Sequence, residues 1–164
     1  MTLVIEATPG LATSNSYATL ADAEAYALTV PIHDDWTAAV DATKNAAIVQ
    51  ATRMLDTLLW VGWRAYPTVQ TLQWPRQGVH ERDGLFFLPG TTIPWQIKDA
   101  TCEFAVRLVA DDRAADAGGL SYGKLELGSL KLSDPTRRHV PASVLEMVRE
   151  FLASAGSGPR MELA

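Results

Sequence analysis

Residues 41–58 read DATKNAAIVQATRMLDTL, and this stretch sets the fold class. Ile48, Ala51, Leu55 and Leu58 recur at spacings of three and four, so they fall on one side of a helix. Lys44, Asn45, Gln50 and Arg53 fall largely away from that stripe. Asp41 is placed to cap the start, and Gly62 stands where a helix would end.

Working outward toward the N-terminus, Trp36 fits a preceding turn of helix. Thr19 followed by Asp22 has the spacing of a capping box, with Asp in place of Glu. It predicts a first helix over about Leu20 to Leu28, because Pro31 disfavours helical geometry in the residue before it. Leu3-Val4-Ile5 followed by Thr8-Pro9-Gly10 suggests a short edge strand or an extended arm closed by a turn.

In the other direction the periodicity disappears between Trp60 and Pro94, a stretch that holds Trp63, Trp74, Pro67, Pro75 and Pro89. Long loops inside compact domains are uncommon and usually functional. Residues 85–88 have the composition of a short strand, but the aromatic content favours a packed, ordered excursion. Pro94 opens the third helix, where a missing N–H costs nothing. Ile97, Thr101, Phe104 and Leu108 line one face of it, which runs out near Asp111-Asp112. Leu120–Leu132 alternates around Gly128-Ser129 and reads as a small hairpin. Pro141 opens the fourth helix, with Val144, Val148, Phe151 and Leu152 on one face. The expected architecture is mostly α: a compact bundle of about four helices, a small β-hairpin, and a long ordered loop between helices two and three. One domain is expected over residues 1–155, with a flexible tail over 156–164.

Composition supports this. The chain has 164 residues, 48% of them apolar, enough for one domain with a substantial core. A single cysteine, Cys102, excludes an internal disulfide framework and a Cys-rich zinc site. The longest uncharged stretch, residues 7–21, falls short of the roughly 18–20 apolar residues of a membrane span. No basic segment precedes an apolar run, so no secretory signal is read at the N-terminus. A soluble intracellular protein is expected. The net charge of −5 works against nonspecific nucleic-acid binding, which relies on cations displacing counterions. Ten of the fourteen cations are Arg, which suits forked hydrogen bonds, stacking and interfaces.

Catalytic chemistry finds little footing. The three histidines, His33, His80 and His139, lie in no motif with known mechanics, and no Gly-rich loop has phosphate-binding spacing. His33-Asp34-Asp35 and His80-Glu81-Arg82-Asp83 read as solvated turns, and Cys102 as a core residue. No enzyme activity, metal or cofactor is expected. Two constellations remain. Trp63-Arg64 with Gln70, Leu72, Trp74, Pro75 and Arg76 interleaves aromatics with Arg. That composition serves intramolecular packing, a subunit interface, or stacking on single-stranded bases. Arg137-Arg138-His139 precedes the last helix, where cations oppose the helix dipole and so point to an outside partner or acidic neighbours. Trp63, Arg64, Trp74, Arg76, Arg137 and Arg138 are therefore the candidate interface or DNA-facing residues.

The overall pattern resembles the tailed-phage head–tail adaptor (connector) family. The resemblance opens at Ser16-Tyr17-x-Thr19-Leu20-Ala21-Asp22-Ala23 and Tyr26, and runs through Trp36, Lys44, Ala51-Thr52, Leu55-Asp56 and Trp60-x-Gly62-x-Arg64. It is densest at Gln70-x-Leu72-x-Trp74-Pro75-Arg76-x-Gly78, and resumes at Ile93-Pro94, Ala100 and Glu103. The same pattern is often labelled a DnaT-like single-stranded-DNA-binding domain. The adaptor resemblance implies a homo-oligomeric ring, commonly a dodecamer, in the neck of the virion. Its implied partners are the portal protein, a tail-side neck or tail-completion protein, and packaged double-stranded DNA passing through the lumen. No membrane partner is implied, and host cytoplasm is the place of assembly. An acidic lumen would let DNA slide rather than stick. Arg76 is expected to serve a neighbouring subunit more than the fold. The alternatives are a single-stranded-DNA-binding module, or an assembly chaperone or regulator. A DNA binder would need Arg64, Arg76, Arg82, Arg137 and Arg138 to converge on one groove.

Overall fold

The computed structural model describes residues 2–4, 11–31, 34–81, 84–110 and 140–153. At its centre is helix α4 (Trp95–Ala110), against which all four other α-helices described below pack. Its Ile97, Ala100, Thr101, Phe104, Ala105 and Leu108 are buried, which needs apolar residues all along the facing stripe. Thr101 is tolerated there because its hydroxyl donates to the Ile97 carbonyl at 2.8 Å. The Pro94 carbonyl accepts from the Ile97 and Lys98 amides, so the proline stands at the helix entrance as expected.

Helix α1 (Leu20–Ala27) begins with the predicted capping box. The Thr19 hydroxyl accepts from the Asp22 amide, and the Asp22 carboxylate accepts from the Thr19 amide, both at 2.9 Å. A short helix α2 (Asp34–Ala38) sets Trp36 into the core. It is the helix beyond the expected four. Helix α3 (Asp41–Leu55) differs from expectation at both ends. Val40 is the cap residue, without a side-chain bond, and Asp41 is the first helical residue, where its charge suits the positive end of the dipole. The helix stops at Asp56, well before Gly62, which instead turns the chain with a φ of 69°. Lys44, expected on the polar side, is buried. Its ammonium pairs with Glu24 at 3.1 Å and lies 5.6 Å from the Trp36 ring centre, so a long stem is drawn in by two partners.

Helix α5 (Ala142–Val148) and a following 3₁₀ turn (Arg149–Phe151) bury Val144, Val148 and Phe151 as the spacing predicts. The chain then pairs with the start of the excursion: the Val61 amide donates to the Phe151 carbonyl, and the Ala153 amide to the Leu59 carbonyl, both at 2.9 Å. Strands β1 (Trp63–Arg64) and β2 (Arg76–Gln77) form a two-stranded antiparallel sheet, with Trp63 opposite Gln77 and Arg64 opposite Arg76. The molecule is thus mostly helical with a small antiparallel pair, and that pair lies inside the excursion. Leu120–Leu132, Arg82, Arg137, Arg138 and the segment 156–164 lie outside the described residues. Among the described residues, no helix is long and apolar enough to cross a membrane.

Candidate functional site

The segment Gln70–Gly78 carries the densest cluster of candidate residues, and most of its side chains face inward. Gln70 is buried and works as a staple. Its Nε2 donates to the Leu72 and Pro75 carbonyls at 2.8 and 3.0 Å, and its Oε1 accepts from the Tyr66 amide at 3.1 Å. An amide serves here because it offers donors and an acceptor in one plane. Leu72 is in the core, and Trp74 is fully buried. The Trp74 ring meets Trp60 edge-on at 5.7 Å and Phe151 at 5.4 Å, arrangements that aromatic quadrupoles favour. The Trp74–Pro75 peptide bond is cis.

Arg76 is 7% exposed. Its Nε donates to the Val61 carbonyl at 2.7 Å and its Nη2 to the Gly62 carbonyl at 2.7 Å. Its Nη1 donates to Gln73 Oε1 at 3.0 Å. The guanidinium thus fastens the chain leading into β1 to the chain leading into β2. Burial lowers its pKa, and Arg64 on the facing strand adds to that. Arg64 turns aside to donate to the Gln70 carbonyl at 3.1 Å, which relieves the like-charge pairing across the strands. The expectation that Arg76 serves mainly a neighbour is therefore corrected: its donors go to the Val61 and Gly62 carbonyls and to the Gln73 side chain of its own chain. Trp74 and Arg76 are interior, and Arg64 is half-buried.

Trp63 is different. It is 60% exposed, and its ring lies across Gly78, where a Cβ would come within 2.5 Å of it. Beyond Gly78 the chain rises into a tip. The Leu88 amide donates to the Val79 carbonyl and the Glu81 amide to the Phe86 carbonyl, each at 2.8 Å. His80 lies over Phe87 with ring centres 4.1 Å apart. At this tip Leu85, Phe86 and Phe87 are all more than half exposed. Sequence reasoning treated these residues as a strand or packed loop and missed them as a surface. The available signal was an apolar run directly after Gly84.

A second arrangement was also missed. The Tyr17 hydroxyl donates to Asp56 Oδ1 and accepts from the Trp74 amide at 3.2 Å, while the Gln73 amide lies 3.4 Å from both Asp56 oxygens. Burial pushes the Asp56 carboxyl up to about 6, against the Tyr17 and Gln73 hydrogen bonds and the Arg76 charge, which pull it down. Burial, then the Asp56 charge, raise the Tyr17 phenol well above its ordinary value. Cys102 is buried in α4, and burial pushes its thiol up to about 12. Among the described residues no group of three His, Cys, Asp or Glu is placed to hold a metal ion.

What this arrangement offers is an apolar and aromatic contact surface on a firmly stapled excursion. No curated protein and no solved structure matches the chain. A family model described as DnaT-like ssDNA binding protein matches residues 1–160, taking in α1 to α5 and the whole excursion. On that match the chain belongs to the DnaT-like ssDNA binding protein family.

Proposed function

We propose that this protein is a non-enzymatic structural subunit that works through protein contacts, as the head–tail adaptor ring its sequence resembles. The observation that carries this reading is the division of labour within the excursion. Arg76 and, in part, Arg64 are committed to backbone carbonyls, whereas the large apolar side chains exposed along the excursion are Trp63, Val69, Leu85, Phe86 and Phe87. Aromatic and aliphatic anchors of this kind suit protein interfaces. Phosphate backbones need free cations, and the net charge of −5 works against them. In this reading copies associate on a portal protein in the virion neck, and the ring passes double-stranded DNA.

The competing reading is single-stranded-DNA binding. The family description favours it, and the exposed Trp63 beside Arg64 provides one stacking ring next to one cation. Two measurements on the full chain separate the readings. Fluorescence anisotropy with a labelled oligonucleotide is expected to show weak binding that vanishes as salt approaches physiological strength. Sedimentation with and without portal protein is expected to show ring-sized particles only with portal, and none for the double variant Phe86→Ser, Phe87→Ser. Submicromolar oligonucleotide binding that persists at physiological salt and quenches tryptophan overturns the proposal.

A further inference from the structure

A groove lies at the start of α4. Trp95 and Gln96 line it from α4, and Glu146, Met147, Arg149 and Glu150 line it from α5 and the 3₁₀ turn, around a volume of about 580 Å³. Volumes of this order enclose drug-sized ligands, so aromatic side chains find room in it. We propose that the groove receives the tip of a second copy of this chain, with Phe86 and Phe87 of one copy docking against Trp95 and Met147 of the next. The inference rests on the ring reading above, to which it adds the receptor for the exposed tip.

The chemistry of the groove suits an apolar occupant. Its polar groups are engaged with one another: Gln96 Nε2 donates to Glu150 Oε1 at 3.0 Å, and Arg149 pairs with Glu146 at 3.5 Å. The first of these bonds ties the start of α4 to the 3₁₀ turn, so the groove is formed before anything enters it. The apolar lining is Trp95, 64% exposed, and Met147, an indole of the kind that anchors interfaces and a thioether that adapts to a partner's shape.

The tip presents matching surface in one fixed shape. The Leu88–Val79 and Glu81–Phe86 backbone bonds and the His80 ring beside Phe87 hold it, which lowers the ordering cost of docking. It does not fill the groove of its own copy, because both phenylalanine rings stay exposed and neither lines the groove. The link from the tip to α4 is packed against β2: at Gly90 a Cβ would come within 2.7 Å of Gln77 Cγ.

Area and symmetry favour a second copy as the occupant. An aromatic side chain buries about 150–250 Å², so two rings 68% and 62% exposed have roughly 200–330 Å² left to bury. A standard interface takes about 800 Å² from each partner, so one tip in one groove does not sustain a dimer. Tip and groove are different patches of one surface, so the contact is head-to-tail, and every copy makes it twice once the series closes into a ring. Such a contact supports closure on a platform such as a portal rather than pairing in solution.

The test is photo-cross-linking. Full chain carrying Phe86→p-benzoylphenylalanine is mixed with isotope-labelled unsubstituted chain at about 0.1–1 mM, a concentration that populates a weak contact. Illumination, digestion and mass spectrometry are expected to show unlabelled tips joined to labelled peptides bearing Trp95 or Met147. Trp95→Ala in the labelled chain is expected to lower that yield at least about tenfold with an unchanged circular dichroism spectrum, since Trp95 is exposed. Leu28→Ser, at the exposed end of α1, is expected to leave the yield unchanged. The proposal is overturned by the absence of adducts, by adducts confined to one copy, or by adducts on the tip of the second copy. A yield that Trp95→Ala leaves unchanged, or that Leu28→Ser lowers equally, also overturns it. Sedimentation with portal protein reports separately on the ring reading. Rings that form while cross-links miss the groove refute the contact alone, and groove cross-links without rings on portal refute the ring reading alone.

Discussion

Replacing Arg76 with alanine tests whether the excursion is held by its own guanidinium. Three of the hydrogen bonds it donates are 3.0 Å or shorter, to the Val61 carbonyl, the Gly62 carbonyl and Gln73 Oε1. Hydrogen bonds from a charged donor contribute about 1.5–3 kcal/mol each, so the low end for three is about 4.5 kcal/mol. Freeing the side chain on truncation returns up to about 2 kcal/mol of rotamer entropy. The expected loss is therefore about 3 kcal/mol, or about 6–12 °C in Tm for a domain of this size. Urea unfolding followed by tryptophan fluorescence measures it, with Trp74→Ala as the reference at about 3–5 kcal/mol for truncating a buried aromatic. Arg76→Lys should recover only part of the loss, because one ammonium cannot span carbonyls on both sides of the ladder. A loss below about 1 kcal/mol in Arg76→Ala would refute the reasoning and return Arg76 to the role of a contact residue.

Two further outcomes follow from the same geometry. Gly78→Ala should lose about 1–3 kcal/mol, because its φ of 71° disfavours any side chain and its Cβ would press on the Trp63 ring; an unchanged urea midpoint would contradict this. Cys102 should resist maleimide labelling in the native protein near pH 8 and react only on unfolding, since the thiol is buried and held at about 12; prompt native labelling would contradict it.

The helices were legible because their signals are local. The Thr19–Asp22 box, the stripe through Ile48 and Leu55, the Pro94 entrance and the Val144–Val148 face all act within a turn or two of chain. The errors arose where distant partners decide. Lys44 looks solvent-facing from its position in α3 but is drawn inward by Glu24 and Trp36. Gly62 looks like a helix stop, yet α3 has already ended where Asp56 is engaged by Tyr17 and Gln73. The candidate site shows the same limit more sharply. Tryptophan and arginine are chosen for interfaces and for cores for the same physical reasons, area and forked donors. Nothing within Trp74-Pro75-Arg76 tells the two uses apart. Only the carbonyls of Val61 and Gly62 and the ring of Phe151, brought up by folding, place Trp74 and Arg76 inside and leave Trp63 outside.

The pairing of residues 59–61 with 151–153 also has a meaning in time. Phe151 forms one wall of the Trp74 pocket, yet it is encoded roughly 80 residues later, a delay of about 4–15 s at ordinary synthesis rates. Through that interval a nascent chain has made Trp60, Trp74 and the whole excursion but lacks the residue that covers them. Its largest aromatic cluster is then open to solvent and to neighbouring chains on the same message. The protein should accordingly depend more on chaperones, and aggregate more readily, when translation stalls between Ala110 and Pro141 than when synthesis has run far enough for Phe151 to leave the ribosome.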